Sequence, residues 1–316
     1  MRVLFWGTPE FAEPPLRALI GEGFDVCGVI TQPDKPVGRS RSTLEPPPVK
    51  QIALEEGIGV LQPDRPRGDD FIASLREMAP DISVVVAYGH ILPTAVIDLP
   101  RLGTINIHAS LLPKLRGAAP IQAAIREGHT ETGVTIMRMV QALDAGPSIL
   151  QVRTPIPEDE TFGELRLRLA EMGALALIEA LALIDLGKAT ETPQDDDQAT
   201  YAPKVDRTMT RIDWSRDAVA VSRIIRAYDP YPGARTTHRG ADLKLFGVRR
   251  AQSSETAAAG EVLAIDGNGM LVACGDVAGG DGGAVQVANV HPAGKRRLTP
   301  REWAAGRGIT VGERLS

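Results

Sequence analysis

Short apolar runs alternate with amphipathic segments through the first 110 residues. Three runs are too short and too rich in β-branched residues for helices and indicate buried strands at residues 2–6, 25–31 and 82–87. Between these runs, apolar positions at helical spacing predict helices over residues 9–21, 47–57 and 71–78. This alternation of strand and helix predicts a doubly wound, mostly parallel sheet with right-handed crossovers.

The alternation of predicted strands and helices continues to about residue 186. A strand at residues 103–108 is followed by a loop, a helix over residues 118–127, and strands at residues 133–140 and 149–154. Thr161 and Glu164 have the spacing of a capping box, which predicts the start of a long amphipathic helix that ends near Leu186. The next segment, rich in Thr, Asp, Gln and Ala, indicates a linker.

The pattern changes after about residue 208. A helix is predicted over residues 217–227, followed by short strands at residues 241–248, 260–265, 270–274 and 285–290. Asp266-Gly267-Asn268-Gly269 suits a tight hairpin turn, and Thr299-Pro300 suits the start of a last helix. Several short strands with one or two helices predict a small β-barrel. We therefore divide the chain into a sheet domain at residues 1–189, a linker at residues 190–207 and a C-terminal domain at residues 208–316.

Length and composition agree with this division. The 316 residues correspond to roughly two domains of about 150 residues each, and 43% hydrophobic with 24% charged residues is typical of a globular protein. No run approaches the ~20 apolar residues of a membrane helix, and the apolar run at residues 3–6 is too short for a signal peptide. We expect a cytoplasmic protein with no membrane contact.

Metal and disulfide chemistry are both disfavoured. Cys27 and Cys274 lie far apart in strand-like runs, so neither a disulfide framework nor a Cys-based zinc site is available. The five histidines show neither the HExxH nor the His-x-His spacing of a metal site. The sequence therefore predicts a protein without a bound metal.

Charge is spread unevenly along the chain. The formal net charge is −5, yet residues 201–250 carry 11 basic and 5 acidic side chains, among them Lys204, Arg207, Arg211, Arg223, Arg226, Arg235 and Arg239. Such a basic zone on an acidic protein hints at a polyanionic partner, although a merely solvated face gives the same pattern. Residues 33–44 form a long, basic segment rich in helix and strand breakers, which is typical of a functional or disordered loop.

An amide and an imidazole stand near the end of the strand at residues 103–108. Asn106 and His108 project from one face of this strand, about 6.6 Å apart, at the end where this architecture places its ligands. Asp144 lies in a tight turn between two later strands. An amide and a protonated imidazole can both donate to an oxyanion, and a carboxylate can orient the imidazole and help to move a proton. The trio suits acyl transfer.

The residue types and their spacing also allow other interpretations. An isolated Asn-x-His is commonly a structural pair, and Asp144 before Gly146-Pro147 is by itself a turn former. The first turn lacks the Gly-x-Gly-x-x-Gly of a dinucleotide site, which disfavours a dehydrogenase. Ser110 lacks the Gly-x-Ser-x-Gly elbow of an acyl-enzyme hydrolase, so direct transfer between two substrates is the better chemical interpretation.

A longer segment carries a family resemblance. The run Asn-Ile-His-Ala-Ser-Leu-Leu-Pro-Lys-Leu-Arg-Gly-Ala-Ala-Pro-Ile-Gln at residues 106–122 resembles the signature of the folate-dependent formyltransferases, and its last six residues are most similar to the branch that acts on methionyl-tRNA. Segments at residues 3–11, 86–93 and 294–298 extend the likeness over the whole chain. The resemblance implies a Rossmann-like sheet domain followed by an OB-like β-barrel.

The resemblance also implies substrates. The donor would be 10-formyltetrahydrofolate, and the acceptor would be the amino group of methionine on initiator tRNA, for translation initiation. Asn106 and His108 would stabilise the oxyanion, while Asp144 would hold His108 and relay the proton to the leaving nitrogen of the donor. We expect a monomeric enzyme that needs no metal.

Binding residues follow from the same resemblance. Folate contacts are expected from Ser110, Leu111, Leu112 and Pro113 and, on the pterin side, from Tyr88, Gly89, His90, Ile91 and Leu92. His90 departs from the pattern, because we expect an apolar residue there, and could alter the pterin contacts. Contacts with tRNA are expected from Lys35, Arg39, Arg41, Lys204 and Arg207, which predicts strongly salt-dependent binding.

Three alternatives differ in acceptor or in chemistry. A formyltransferase acting on a small amine, such as a ribonucleotide or an amino sugar, or on water, would not need a basic C-terminal domain. A non-catalytic tRNA-binding protein would have no use for the trio Asn106, His108 and Asp144. A Rossmann-type oxidoreductase is opposed by the missing glycine fingerprint.

Overall fold

The computed structural model describes residues 1–37, 43–252, 257–275 and 283–316. The strands are β1 (Arg2–Gly7), β2 (Asp25–Ile30), β3 (Lys35–Val37), β4 (Thr43–Glu45), β5 (Val60–Leu61), β6 (Ile82–Val86), β7 (Thr104–His108), β8 (Glu131–Arg138), β9 (Ser148–Pro155), β10 (Ala234–His238), β11 (Ala241–Gln252), β12 (Val262–Asp266), β13 (Gly269–Ala273) and β14 (Gly283–Pro292). The helices are α1 (Glu13–Gly21), α2 (Pro48–Glu55), α3 (Asp69–Glu77), α4 (Thr94–Ile97), α5 (Pro120–Glu127), α6 (Phe162–Asp185), α7 (Ala218–Ala227) and α8 (Pro300–Ala305). None of the helices in the described residues is long and apolar enough to cross a membrane.

The chain divides into two structural units. Unit 1 consists of Met1–Pro120, Thr132–Thr154 and Arg166–Ala202. Unit 2 consists of Ile121–Glu131, Pro155–Leu165 and Pro203–Ser316. The chain therefore passes between the units several times, whereas the sequence predicts two consecutive domains joined by one linker.

Unit 1 contains a seven-stranded sheet in the order β5-β2-β1-β6-β7-β8-β9. Neighbouring strands from β5 to β7 run parallel, and β8 runs antiparallel to β7. Every residue of β6 is buried, as expected for a strand covered on both faces by helices. The doubly wound, mostly parallel sheet predicted from the sequence is confirmed.

The order of the strands reverses between β1 and β6. From β1 the chain first builds outward through β2 to β5, then returns to place β6 on the other side of β1. Ligands of such sheets bind outside the carboxyl ends of the strands near this reversal. β7 lies directly beside β6, so its carboxyl end, at His108, belongs to this edge of the sheet.

The long helix begins where its sequence predicts. The Thr161 hydroxyl accepts from the Glu164 main-chain N–H at 3.3 Å, and the Glu164 carboxylate accepts from the Thr161 main-chain N–H at 2.9 Å. This reciprocal pair satisfies two of the N–H groups that a helix leaves without internal partners at its start. Leu165, Leu169 and Leu177 of α6 are fully buried.

Unit 2 contains an antiparallel sheet in the order β10-β11-β14-β13-β12. Its core gathers residues from the sheet and from α7 and α8, including Val221, Ile225, Leu245, Val287 and Trp303. The predicted Asp266–Gly269 hairpin joins β12 to β13, and the Asp266 carboxylate accepts from the Asn268 N–H at 2.7 Å. The short strands and this turn are confirmed.

The two edge strands of this sheet are linked by the end of the chain. Within the described residues, β10 and β12 do not pair with each other. Instead Leu315 pairs with His238 of β10, and Arg314 pairs with Glu261 just before β12. Residues near the end of the chain therefore contact both edges of this five-stranded sheet. The sequence pattern predicts no strand there.

Candidate active site

Strand β7 presents the two side chains that the sequence singles out. Asn106 aligns with Val85 of β6 and with Met137 of β8, and His108 aligns with Thr135 of β8. Residues two apart in a strand lie on the same face, so both side chains project from one face of the sheet. Asn106 is half-buried, while His108 is only 5% exposed.

Both nitrogens of the His108 ring face acceptor oxygens. Nε2 lies 3.0 Å from the main-chain oxygen of Leu115. Because a carbonyl oxygen only accepts, Nε2 is the protonated nitrogen in this contact. Nδ1 lies 3.7 Å from Oδ2 of Asp144, within ion-pair range but longer than a hydrogen bond. The structure thus brings His108 and Asp144 together.

A backbone contact fixes the carboxylate of Asp144. Its Oδ2 accepts from the main-chain N–H of Gly117 at 2.8 Å. Gly117 has φ +118°, and a Cβ there would lie 2.6 Å from the main-chain oxygen of Ala202. Only glycine meets both conditions, since other residues rarely adopt this backbone region. Gly117 in the signature segment therefore positions the carboxylate.

The turn that carries Asp144 is itself tightly constrained. Asp144 has φ +47°, a left-handed conformation that Asp tolerates better than most residues. A Cβ on Gly146 would lie 1.8 Å from the main-chain oxygen of Arg138. The turn can close only with glycine at position 146, which explains the Asp-Ala-Gly-Pro sequence here.

Gln194, in the segment predicted as a linker, forms hydrogen bonds with the turn that carries Asp144. The Gln194 side-chain amide donates to the main-chain oxygens of Asp144 at 2.8 Å and Gly146 at 2.7 Å. Its oxygen accepts from the buried guanidinium of Arg116 at 2.8 Å, and Arg116 also pairs with Asp196 at 2.7 Å. Gln194 lies about 50 positions from the turn, and no local signal in the sequence marks this contact.

The loop after β7 combines buried and accessible residues. Ser110 is 1% exposed, and its hydroxyl donates to the main-chain oxygen of Lys114 at 2.6 Å. Leu112 is also buried, and its main-chain groups bond to Thr135 and Gln151. Leu111 and Pro113 are half-buried. Of the four predicted folate contacts, Ser110 and Leu112 hold the loop together, and Leu111 and Pro113 retain accessible surface.

The residues predicted to contact the pterin also include both buried and exposed positions. Tyr88 and Leu92 are each 1% exposed and pack in the core, with Tyr88 edge-to-face against Trp6. Gly89, His90 and Ile91 are exposed. Burial raises the pKa of Tyr88 to about 12, and its hydroxyl has no hydrogen-bond partner among the described residues. The His90 ring contacts the Tyr88 ring edge-to-face.

The structure describes three of the five residues predicted to contact tRNA. Lys35, in β3, and Lys204 are exposed. Arg207 is also exposed and forms an ion pair with Asp242 at 2.7 Å. Arg39 and Arg41 lie outside the described residues.

No cluster suited to a metal is found in the parts of the chain that the structure describes, where no three His, Cys, Asp or Glu side chains gather. The site around His108 instead offers N–H donors from an imidazole and an amide beside one carboxylate. This arrangement can stabilise a developing oxyanion and orient a proton-carrying group.

Two family models match the chain. The formyl transferase model matches residues 1–181, and the formyl transferase C-terminal domain model matches residues 204–308. A methionyl-tRNA formyltransferase of Aromatoleum aromaticum is 46% identical over 316 residues, which is 100% of this chain and 97% of the relative. Another, from Pseudomonas fluorescens (strain SBW25), is 50% identical over 278 residues, with 88% of this chain and 87% of the relative covered.

Solved structures share the fold at lower identity. HypX from Aquifex aeolicus, in complex with tetrahydrofolic acid, gives a TM-score of 0.68 at 20% identity over 99% of this chain, which spans about half (48%) of that protein. An N-formyltransferase from Helicobacter canadensis, in complex with folinic acid and dTDP-3-aminofucose, gives a TM-score of 0.65 at 16% identity, with 90% of this chain and 98% of that one covered.

Proposed function

The chain belongs to the methionyl-tRNA formyltransferase family, and on that premise we propose that it transfers the formyl group of 10-formyltetrahydrofolate to the amino group of methionine on initiator tRNA. Formylated methionyl-tRNA then serves translation initiation. The relatives are matched over nearly their whole length, which supports carrying the same acceptor over to this chain.

One observation in the structure carries the proposal. Asp144 Oδ2 lies 3.7 Å from His108 Nδ1 while accepting from the Gly117 N–H at 2.8 Å. Gly117 belongs to the segment that resembles the family signature, and Asp144 lies 27 positions further along the chain. A carboxylate held this way beside an imidazole fits acyl transfer better than it fits a protein that only binds tRNA.

The acceptor needs little help from a base. A free α-amino group has a pKa of about 8, so an appreciable fraction is already neutral near pH 7. Attack on the formyl carbon forms a C–N bond and places negative charge on the formyl oxygen. The residues of the site must therefore stabilise that oxygen and direct one proton.

Asn106 and His108 are the donors that we assign to the oxyanion. The Nε2–H of His108 donates to the Leu115 main-chain oxygen in this structure. An oxyanion is a stronger acceptor than a carbonyl, so it would compete for this N–H. Asn106, half-buried on the same face of β7, would supply the second donor. Fixed donors of this kind typically account for about 100- to 1,000-fold in rate each.

Asp144 has two tasks in the proposed reaction. Its charge faces Nδ1 of His108 and orients the ring, and its side chain is half-buried, with 18% of its surface exposed. Collapse of the tetrahedral intermediate breaks the bond between the formyl carbon and the donor's nitrogen, so the attacking amine must lose a proton as that nitrogen gains one. Asp144 and His108 together are the groups that could pass that proton, directly or through a water molecule.

The residues near β6 fit a folate donor, which would supply an activated formyl group on nitrogen. The Tyr88 hydroxyl is buried and lacks a partner among the described residues, and a pterin ring carries nitrogens and an oxygen able to satisfy it. Gly89, His90 and Ile91 follow it at the surface, where a ligand can reach them. Leu111 and Pro113 would add apolar contacts from the loop after β7.

Substrate choice tests the proposal directly. Purified protein would be supplied with 10-formyltetrahydrofolate and, in parallel, with charged initiator tRNA, uncharged tRNA and free methionine. We expect formyl-methionine only with the charged tRNA. Formylation of a small amine in preference to charged tRNA would contradict the proposed acceptor, and an inert protein that binds tRNA tightly would contradict the proposed chemistry.

A further inference from the structure

A cavity of about 90 Å³ lies within unit 2, and none of its lining residues is among those assigned to formyl transfer. Its walls come from the end of α5 and the turn after it, from residues 156–158, from α7 and from Arg250 of β11. One water needs roughly 10–15 Å³ on this measure, so the cavity has room for a tetrahedral oxyanion. The apolar part of the lining includes Ile125 and Ile156.

Three arginines line the same cavity. Arg223 and Arg226 are one turn apart on α7 and therefore share a face of the helix, and Arg250 reaches the cavity from β11. Like charges repel, so three arginines that line one small cavity are costly unless anions compensate them. The arrangement is typical of sites that bind phosphate.

Arg226 is the buried member of the group. It is 7% exposed, and one of its terminal nitrogens donates to the main-chain oxygen of Glu160 at 2.9 Å. Its Nε is buried and has no hydrogen-bond partner among the described residues. A buried donor without a partner is uncommon in folded proteins and indicates a ligand or water. Burial lowers the pKa of Arg226, as does the neighbouring charge of Arg223.

A glycine makes room for the second guanidinium. A Cβ on Gly128 would lie 2.2 Å from the central carbon of the Arg223 guanidinium, and Gly128 has φ +78°. The guanidinium thus packs directly on the backbone of the turn after α5, where any other residue would displace it. Arg223 is half-buried here and is one of the residues that line the cavity.

The other charged groups leave the cavity positive. The Glu158 carboxylate pairs with Arg250, and the Asp159 charge acts on Arg226 from nearby. His129 lines the cavity, and its Nε2 lies 3.6 Å from a Glu127 carboxylate oxygen. Glu158 compensates Arg250, so Arg223 and the unpartnered Nε of Arg226 are the donors left to a ligand.

We propose that this cavity binds a single phosphate group, held by Arg223 and Arg226 and bordered by Arg250. The phosphate could belong to a small molecule free in solution or to the backbone of a bound tRNA, and the chemistry of recognition is the same for both. A planar guanidinium offers two parallel N–H donors to phosphate oxygens, which matches this set of residues.

Titration of the full-length protein with inorganic phosphate tests the site. Calorimetry at constant ionic strength, with chloride as the balancing anion, should give saturable binding of one phosphate per chain. Arg223→Gln should weaken that binding about tenfold or more, because a charge-assisted hydrogen bond is lost. The titration needs neither formyl donor nor tRNA, so its failure would leave the proposed formyl transfer untouched.

Two further variants keep the test decisive. Arg226→Gln should weaken phosphate binding at least as much as Arg223→Gln does. Because Arg226 is buried, its variant can fail to fold, and Arg223→Gln, at a half-buried position, then still tests the site. Arg249→Gln removes the same charge one residue from Arg250 but outside the cavity lining, and should bind phosphate as the wild type does. Absence of saturable binding at ~10 mM phosphate, or equal weakening in Arg249→Gln, would overturn the proposal.

Charged tRNA distinguishes the two sources of phosphate. If the backbone of tRNA supplies the group, tRNA should displace phosphate, and Arg223→Gln should lower the salt dependence of tRNA binding by about one counterion. If the ligand is a free phosphate compound, phosphate and tRNA should bind together with the salt dependence unchanged. Either result supports the site, provided that phosphate binding depends on Arg223.

Discussion

The main-chain N–H of Gly117 donates to Oδ2 of Asp144 at 2.8 Å, and that same oxygen lies 3.7 Å from Nδ1 of His108. The position of the carboxylate is therefore set by a backbone group from a different loop. Any change that moves the backbone at Gly117 should move Asp144 relative to the imidazole, even though Gly117 has no side chain to take part in the reaction.

Gly117→Ala tests this dependence. The new Cβ would lie 2.6 Å from the Ala202 main-chain oxygen at a backbone φ of +118°, so the loop must shift. We expect turnover per folded molecule to fall roughly 100-fold, the loss that a displacement near 1 Å can cause. Gly187→Ala is the matched control, because Gly187 also has positive φ (+64°) but open space around it. Equal turnover in the two variants would contradict the proposed role of Gly117.

His108→Ala should remove an oxyanion donor and lower the turnover number about 100- to 1,000-fold. The matched control is His238→Ala in unit 2, where a buried histidine pairs with Glu313 at 3.0 Å and packs against Trp303. That variant should lose stability, by about 1–3 kcal/mol, and keep its turnover per folded molecule. Steady-state kinetics with thermal unfolding separates the two effects. If His108→Ala lost only stability, the histidine would be structural.

Gln194→Ala should lower turnover about tenfold while leaving the KM for charged tRNA unchanged. The variant loses both amide donors to the turn at Asp144 and Gly146, so the carboxylate is positioned less well. Gln194→Glu should not restore activity, because a carboxylate cannot donate. Gln198→Ala, in the same segment, removes only a local bond to Asp195 and should behave as the wild type. A rise in KM alone would instead indicate a contact with the acceptor.

The hydrophobic pattern predicted the strands whose apolar residues are contiguous. β1, β2 and β6 lie within a residue or two of the predicted ranges, because most of their residues form contiguous apolar runs. β7 also lies within one residue of its predicted range, although polar residues alternate with its two isoleucines. β10 was not predicted, since Ala234–His238 is mostly polar and its alternating burial is visible only in the folded chain. The pairing of Leu315 with His238 joins residues far apart in sequence, which no local pattern encodes.

In the candidate site, too, some residues could be predicted from the sequence and others could not. Asn106 and His108 could be predicted to share a face because both lie on one strand, and the structure brings Asp144 to the same imidazole. Gln194 could not be predicted, since its contacts with the turn at Asp144 depend on how residues 190–202 pack on unit 1. The burial of Tyr88 and Leu92 was also hidden, because an apolar run gives no direction to each side chain.

Glu313 should make the free energy of unfolding depend on pH in the acidic range. The Arg239 guanidinium, with the Thr310 N–H and His238, lowers the pKa of Glu313 to about 2. A carboxyl whose pKa is lowered on folding stabilises the fold above its ordinary pKa of 4.5, and this contribution disappears as pH falls towards 2. The difference in unfolding free energy between wild type and Glu313→Gln should be constant above about pH 5.5 and should shrink below it.

Chemical denaturation at several pH values measures that difference. A double-mutant cycle with Arg239→Gln isolates the pair, because Arg239 makes the largest favourable contribution. A difference that stays constant down to pH 2.5 would show that Glu313 titrates normally in the folded protein.

Single-turnover transfer by Asp144→Asn is the most direct test of the catalytic account. The amide oxygen of asparagine can still accept from the Gly117 N–H, so the substitution removes the charge beside His108 and little else. With saturating 10-formyltetrahydrofolate and charged initiator tRNA, we predict a rate of formyl-methionine formation about 100-fold below that of the wild type, with the free energy of unfolding changed by less than about 1 kcal/mol. A rate equal to that of the wild type would show that the carboxylate is only a turn former and would contradict the account.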